Sequence, residues 1–206
     1  MRRVVMGLLV AVVGSLALVG SAGAAPGQTT HFRFHGNFAE ALWFVSSSTS
    51  FADTTFNVSQ SKTGKELFVE RFVGTQSGET DTVVDVTSGF SFSIDTKTLG
   101  TASVSGSSLP ARRCTYDVDG NLIGCSHVRV AFQASLTGQG PIIKGTANDH
   151  FKSDGFSVTD HFNGTDRNAI ATGSFAGIAL RASQLEFADL GHTNEGSVSV
   201  CKGTGC

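Results

Sequence analysis

Apolar and polar residues alternate along most of the chain beyond its N-terminal segment. Between Ala39 and Val45 the apolar residues occupy every second position, which is the period of a half-buried strand and not of a helix. Ser, Thr, Val and Phe dominate these segments, and Gly, Asp and Asn interrupt them at short intervals. The pattern predicts an all-β fold: a single antiparallel β-sandwich or closed β-barrel with short hairpins. No repeat with a period of about 20 to 50 residues is present, which argues against solenoids and propellers.

The N-terminal segment has the features of a targeting signal. Arg2 and Arg3 precede an apolar run, and small residues then offer a cleavage site after Ala24. The run is shorter than the roughly 20 residues that a retained membrane anchor needs, and no second run in the predicted mature chain is long enough to span a bilayer. We therefore expect a secreted protein, extracellular or in the cell envelope. The predicted organisation is a signal peptide over 1–24 and a single secreted β domain over 25–206.

Composition narrows the possible functions. Of 206 residues, 15 are basic and 17 acidic, so the chain lacks the basic surface that nucleic-acid binding requires. A 40% apolar content with only 16% charged residues is typical of a chain with a packed core and not of a disordered one. The aromatic residues are 16 Phe against one Trp and one Tyr. Carbohydrate-binding platforms and outer-membrane aromatic girdles both depend on Trp and Tyr, so we expect the Phe side chains to form a buried core.

A first hairpin is predicted from the segment between Cys114 and Cys125. Asp119-Gly120 is a pair that favours a two-residue turn, and centring there places Tyr116 opposite Ile123 and Cys114 opposite Cys125. In an exported protein this register predicts a disulfide between the two cysteines.

The two remaining cysteines lie at the C-terminal end. Cys201 and Cys206 enclose four residues, and a second disulfide between them is the simplest interpretation. Crossed pairings such as Cys114 with Cys206 stay open. Metal binding by these cysteines is disfavoured because the chain has no C-x-x-C spacing.

A second hairpin, centred on Asp154-Gly155, carries the most chemically suggestive residues. Its register places His150 and His161 diagonally on a polar face, and Asp149 directly opposite Asp160 on the apolar side. One hypothesis is that the histidines share a metal, or that the aspartates share a cation or a proton. The alternative, which we favour, is a solvated strand face with the aspartates at the rim of the core.

Sequence signals for catalysis are weak. The chain has no G-x-S-x-G and no H-E-x-x-H motif, and four paired cysteines leave no nucleophilic thiol. A pair of carboxylates for glycoside chemistry is an open alternative, with Glu40 and Glu70 as the candidates near Trp43 and Arg71. We predict no cofactor and no catalytic residue, and we do not favour an enzyme.

Three Gly-containing motifs lie between Ala131 and Lys202: Leu136-Thr-Gly-Gln-Gly-Pro141, Phe162-Asn-Gly-Thr-Asp-Arg167 and Ala169-Ile-Ala-Thr-Gly173. Through these motifs the region resembles uncharacterised secreted bacterial β-proteins. The group usually has Trp where this chain has Leu136. The resemblance implies export and an all-β fold, and it implies no activity. From the residues alone, Arg167 is expected to pair with Asp166 or another acid.

Three functions compete at this point. The first is a secreted or surface-associated binding or structural module that works through its loops or a sheet face; its partner is unknown, with a protein or a small apolar ligand as the candidates. The second is a calycin-like barrel that binds a small apolar ligand, and the third is a secreted hydrolase. We expect the ligand carrier if Phe32–Phe34 pairs with Val198–Val200 around an apolar cavity of several hundred Å³, whereas a filled interior would argue against it.

Overall fold

The computed structural model describes residues 28–153 and 156–202. These residues form eleven strands and one 3-10 turn, Ala182–Gln184. The strands are β1 Gln28–Ser46, β2 Ser50–Gln60, β3 Lys65–Thr75, β4 Gly78–Val86, β5 Ser91–Ile94, β6 Thr101–Tyr116, β7 Leu122–Gly138, β8 Ile143–Ser153, β9 Phe156–Phe175, β10 Ile178–Leu180 and β11 Leu185–Lys202. The all-β prediction is confirmed. The predicted signal peptide, residues 1–24, lies outside the described residues.

Eight strands close a ring through antiparallel pairing. The order around the ring is β1-β2-β3-β4-β6-β7-β9-β11, and β11 pairs with β1 to close it. The first and last strands of the chain therefore pair, with Phe32 opposite Val198. Each of these eight strands pairs with two neighbours in the ring, so the ring has no free sheet edge. The architecture is therefore a closed barrel and not a sandwich.

Large apolar side chains fill the interior of this ring. Trp43 of β1 stacks on Phe56 of β2 with ring centroids 5.8 Å apart, and Phe56 lies 5.4 Å from Phe132 of β7. Because β2 and β7 are not neighbours in the ring, this last contact crosses the barrel. Phe132 also contacts Phe175 of β9 at 6.5 Å. The prediction that Phe residues form the core is confirmed at these positions. It is wrong for three Phe side chains that are more than a third exposed: Phe44, Phe51 and Phe151.

Beside the ring, β8 pairs with the N-terminal half of β9. The register matches the prediction for the second hairpin: Asn148 lies opposite His161, and His150 opposite Thr159. The predicted turn residues Asp154 and Gly155 lie outside the described residues. The hairpin thus extends the sheet beyond the barrel instead of contributing a ring strand.

The first hairpin has the predicted cysteine register but a different turn. Cys114 and Cys125 are paired across β6 and β7 and are disulfide-bonded, with Cα atoms 4.1 Å apart. Tyr116, however, pairs with Leu122 and not with the predicted Ile123. The predicted two-residue turn is wrong because the Asp117 carboxylate accepts hydrogen bonds from the backbone N–H groups of Asp119 and Asn121, which builds a wider loop.

We expect this disulfide to contribute about 3 kcal/mol to the free energy of unfolding, because it closes a short loop in the unfolded chain. Replacing Cys114 and Cys125 together by Ala should lower the urea midpoint accordingly. Adding reductant to the double variant isolates the effect of the predicted Cys201–Cys206 bridge. Equal midpoints for the oxidised protein and the double variant would contradict the prediction.

Within 28–153 and 156–202 no helix is long and apolar enough to cross a membrane.

Candidate functional site

A cavity of about 290 Å³ opens at one end of the barrel. It is lined by the C-terminal part of β1, the facing parts of β2 and β3, the short strand β10 and the 3-10 turn. Its wall is mostly apolar, and the four hydroxyl residues and Gln184 that also line it are uncharged. The principal apolar residues are Trp43, Val45, Phe51, Val73, Ile178 and Leu180.

Among the described residues that line the cavity, one side chain is charged, that of Arg71. It lies on β3 in the series Leu67, Val69, Arg71, Val73, whose alternation faces the barrel interior. Its Nη1 donates a hydrogen bond to Thr54 Oγ1 at 2.6 Å across the β2–β3 pairing. Burial lowers the pKa of the Arg71 guanidinium, but a guanidinium remains charged throughout the physiological range. One signal for this site is visible in the sequence: Arg71 occupies a position where the apolar–polar alternation of β3 would place an apolar residue.

Trp43 forms the floor of the cavity beside the core. Its ring is buried and stacks on Phe56, and its Nε1 has no hydrogen-bond partner among the described residues. A buried indole N–H without a partner is unfavourable, since the group loses its hydrogen bond to water. Trp43 is also the only tryptophan of the chain, so its fluorescence reports on this cavity alone.

The predicted metal candidates lie away from this cavity, on the sheet extension. His150 Nδ1 is 2.9 Å from Thr159 Oγ1, and His161 Nδ1 is 2.6 Å from Asn148 Oδ1. Each imidazole therefore uses one nitrogen in a cross-strand hydrogen bond. Among the described residues, no group of three or more His, Cys, Asp or Glu side chains is arranged to hold a metal ion.

Asp149 and Asp160 are register partners, as predicted. The structure describes only the backbone of these two residues, so the hypothesis that their carboxylates share a cation or a proton stays a prediction. The bridge between Cys201 and Cys206 also stays a prediction, because Cys206 lies outside the described residues.

Three buried carboxyl groups meet where β1, β9 and β11 run side by side. Glu40 pairs with Asp189, and Asp166 lies on the adjoining strand; the three residues are 2%, 4% and 4% exposed. Asn57 Nδ2 donates to Glu40 Oε2 at 3.2 Å. Burial, followed by the charge of Asp189, raises the pKa of Glu40 to about 8, and burial raises the pKa of Asp189 to about 6. These groups hold protons at pH values where exposed carboxyls are ionised.

Glu40 and Glu70, the predicted carboxylate candidates, do not line the cavity. Glu70 lies on β3, where burial and the charges of Asp81 and Asp53 raise its pKa to about 7. Both residues alternate with residues that face the barrel interior and so lie on the outer side of the ring, yet Glu40 is buried there. β1 is covered on both faces at this point, because Phe38 and Ala39 on opposite faces are both buried.

Arg167 does not make the predicted contact with an acid. Its Nε donates to the backbone oxygen of Gly140 and its Nη1 to that of Thr98, both at 3.0 Å. The guanidinium therefore ties together two loops at the end of the barrel formed by β7 and β9. Among the described residues the guanidinium bonds these loop carbonyls and no carboxylate, so the expected ion pair is wrong.

No known protein family, curated protein or solved structure matches this chain.

Proposed function

We propose that this chain is an exported β-barrel protein that binds a small ligand in the cavity at the end of its barrel. The observation that carries the proposal is the cavity itself: about 290 Å³, largely apolar, with a few polar groups at defined positions. Small-molecule sites have this composition, and the mouths of β-barrels are a common place for them. The volume suits a small ligand.

The position of the cavity distinguishes this proposal from a calycin-like carrier that encloses its ligand. The first and last strands pair as such a carrier requires, but Phe56 and Phe132 meet across the ring and occupy its interior. A ligand would therefore bind at the end of the barrel, above Trp43, and not at its centre.

A hydrolase is less well supported by the same cavity. General acid–base catalysis requires a group that donates a proton and one that accepts it, both within reach of the substrate. Among the described residues, Arg71 is the one ionisable side chain lining the cavity, and a guanidinium does not exchange protons near neutral pH. Glu40, Asp166 and Asp189 are too buried to meet a substrate.

Two features support export. The Cys114–Cys125 disulfide is stable in an oxidising compartment, and the N-terminal segment has the composition of a signal peptide. An exported binding protein with no nucleic-acid partner and a small-molecule ligand is consistent with both.

A titration followed by Trp43 fluorescence tests ligand binding. We expect the eight-carbon probes octanoate and octanamide to change the emission, because a bound chain changes the polarity and packing of the cavity directly beside the buried indole. Burial of several methylene groups at about 0.8 kcal/mol each makes binding of at least one probe roughly millimolar or tighter.

Ala179→Phe is the variant designed to block the site. Ala179 is exposed and lines the cavity, so the larger ring fills part of it without entering the core. We expect probe affinity to fall about tenfold. Thr172→Phe is the matched control, because Thr172 is an exposed position of β9 that does not line the cavity. No emission change with either probe, or equal affinity in both variants, would overturn the proposed site.

A further inference from the structure

We infer that the ligand of this cavity is an amphipathic carboxylate, whose acid group pairs with Arg71 while its apolar part lies against the opposite wall. The inference rests on the proposed function and adds the chemical class of the ligand. Its basis is a charge asymmetry: of the fourteen described residues that line the cavity, thirteen are uncharged and the remaining one is a cation.

The guanidinium of Arg71 is held in position but not saturated by its described contacts. The hydrogen bond to Thr54 Oγ1 uses Nη1, and the group has five N–H donors in a planar fork. Thr54 itself is buried, so the bond fixes the guanidinium at the cavity wall. A carboxylate matches such a fork with two parallel hydrogen bonds. Arg71 therefore offers a preorganised contact for a planar monoanion.

The negative charge of Asp53 acts on Arg71 from outside the cavity. Asp53 interacts electrostatically with Arg71, but it is adjacent in β2 to Thr54, which lines the cavity, and successive strand residues face opposite sides of a sheet. Burial raises the pKa of Asp53, and the backbone N–H of Phe72 and the charge of Arg71 oppose that rise. The Asp53 carboxylate thus stabilises the guanidinium from the far side, and no acidic residue of the described chain lines the cavity itself.

A second arginine adds positive charge at the same end of the barrel. Arg113 of β6 donates from Nε to Thr82 Oγ1 at 3.3 Å, and Thr82 is the register partner of Arg71. The residues Thr54, Arg71, Thr82 and Arg113 thus form one row across four neighbouring strands. Both cations on this row favour an anionic ligand, and only Arg71 lines the cavity itself.

The apolar wall of the cavity determines the chemistry of the part of the ligand that does not contact Arg71. Val45, Val73 and Leu180 line the cavity together with the Trp43 ring, and none of them can hydrogen-bond a polar ligand body through its side chain except the indole. A ligand with an acid at one end and a hydrocarbon or aromatic body at the other satisfies both parts of the site. A fully polar anion would leave the apolar wall unsatisfied, and a neutral apolar molecule would leave the guanidinium partly desolvated without a partner.

The test compares three probes of the same chain length, octanoate, octanamide and octylamine, by Trp43 fluorescence and calorimetry. We expect octanoate to bind the wild-type protein at least about tenfold more tightly than octanamide, and octylamine most weakly, since a charge-assisted contact is stronger than a neutral one. Equal binding of octanoate and octanamide would overturn the carboxylate inference while the proposed function stands. No binding of any probe would overturn the proposed function, and the inference with it.

Substitutions of Arg71 test whether this residue causes the preference for octanoate over octanamide. Arg71→Met should abolish the difference between octanoate and octanamide, and Arg71→Lys should restore part of the acid preference. Arg113→Met is the matched control, because it removes an Arg–Thr hydrogen bond of the same row outside the cavity. An acid preference that survives in Arg71→Met, or that is lost equally in Arg113→Met, would refute the assignment.

Discussion

Glu40→Gln is expected to stabilise the protein at alkaline pH and to leave its stability in acid almost unchanged. The Glu40 carboxyl is 2% exposed, it lies beside Asp189, and its pKa is raised to about 8 from an ordinary value of 4.5. Glutamine has nearly the same shape and stays neutral, and its amide retains an oxygen that accepts from Asn57 Nδ2. The substitution therefore removes the titration but keeps the packing.

The direction of the effect follows from proton binding in the two states. Below about pH 4.5 both folded and unfolded chains hold the Glu40 proton, so the stability that it provides is fully present. As the pH rises, the unfolded chain loses the proton while the folded protein keeps it, and stability falls until the folded group titrates near pH 8. At about 1.4 kcal/mol per pH unit, the total loss is on the order of 5 kcal/mol in the wild type and absent in Glu40→Gln.

Urea denaturation of the wild type and of Glu40→Gln between about pH 4 and pH 9 measures this difference directly, because every other ionisable group is present in both proteins. The matched control is Glu186→Gln, an exposed acid on the same strand as Asp189, whose curve should run parallel to that of the wild type. If Glu40→Gln also runs parallel to the wild type, Glu40 does not carry the buried proton that its surroundings require.

Local patterns predicted the strands, the register of the second hairpin and the pairing of Cys114 with Cys125 in the first. The alternation at Ala39, Ala41 and Trp43 indicated β1, and Asp154-Gly155 centred the β8–β9 pairing. The prediction of a two-residue turn after Cys114 was wrong, because the Asp117 carboxylate accepts hydrogen bonds from backbone N–H groups of the turn. The residue types alone do not show whether a side chain or the backbone makes these bonds.

The cavity could not have been located from the sequence. It combines Trp43, Thr54 and Arg71, which the pairings of β1, β2 and β3 bring together, with Leu180, which joins them only when β9, β11 and β1 pair. Alternation fixes the face of a strand on which each residue lies but not which strands share that face across a barrel. The burial of Glu40 could not be predicted for the same reason, because the strands that bury it, β9 and β11, lie far along the chain from β1.

Phe132→Ala is expected to cost about 3 to 5 kcal/mol of stability, which for a chain of this size lowers the melting temperature by roughly 10 °C. Phe132 is 1% exposed and contacts Phe56 and Phe175, so its removal leaves a void between strands on opposite sides of the ring. The ring itself limits how far these strands move to refill the void, because each is hydrogen-bonded on both edges.

The size of this effect decides whether the barrel is a packed core or a container. A barrel with an open, ligand-binding interior tolerates the loss of one aromatic side chain from its lining. A barrel filled by packed side chains instead loses stability and gains an internal void. Ile170→Ala is the matched control: Ile170 is 47% exposed on the outer face of β9, and the change should cost less than about 1 kcal/mol. Because Phe132 does not line the cavity above Trp43, octanoate should bind Phe132→Ala as it binds the wild type well below the melting temperature. A small stability loss, or octanoate entering the new void with improved affinity, would show instead that the interior accepts ligands and that the site belongs at the centre of the ring.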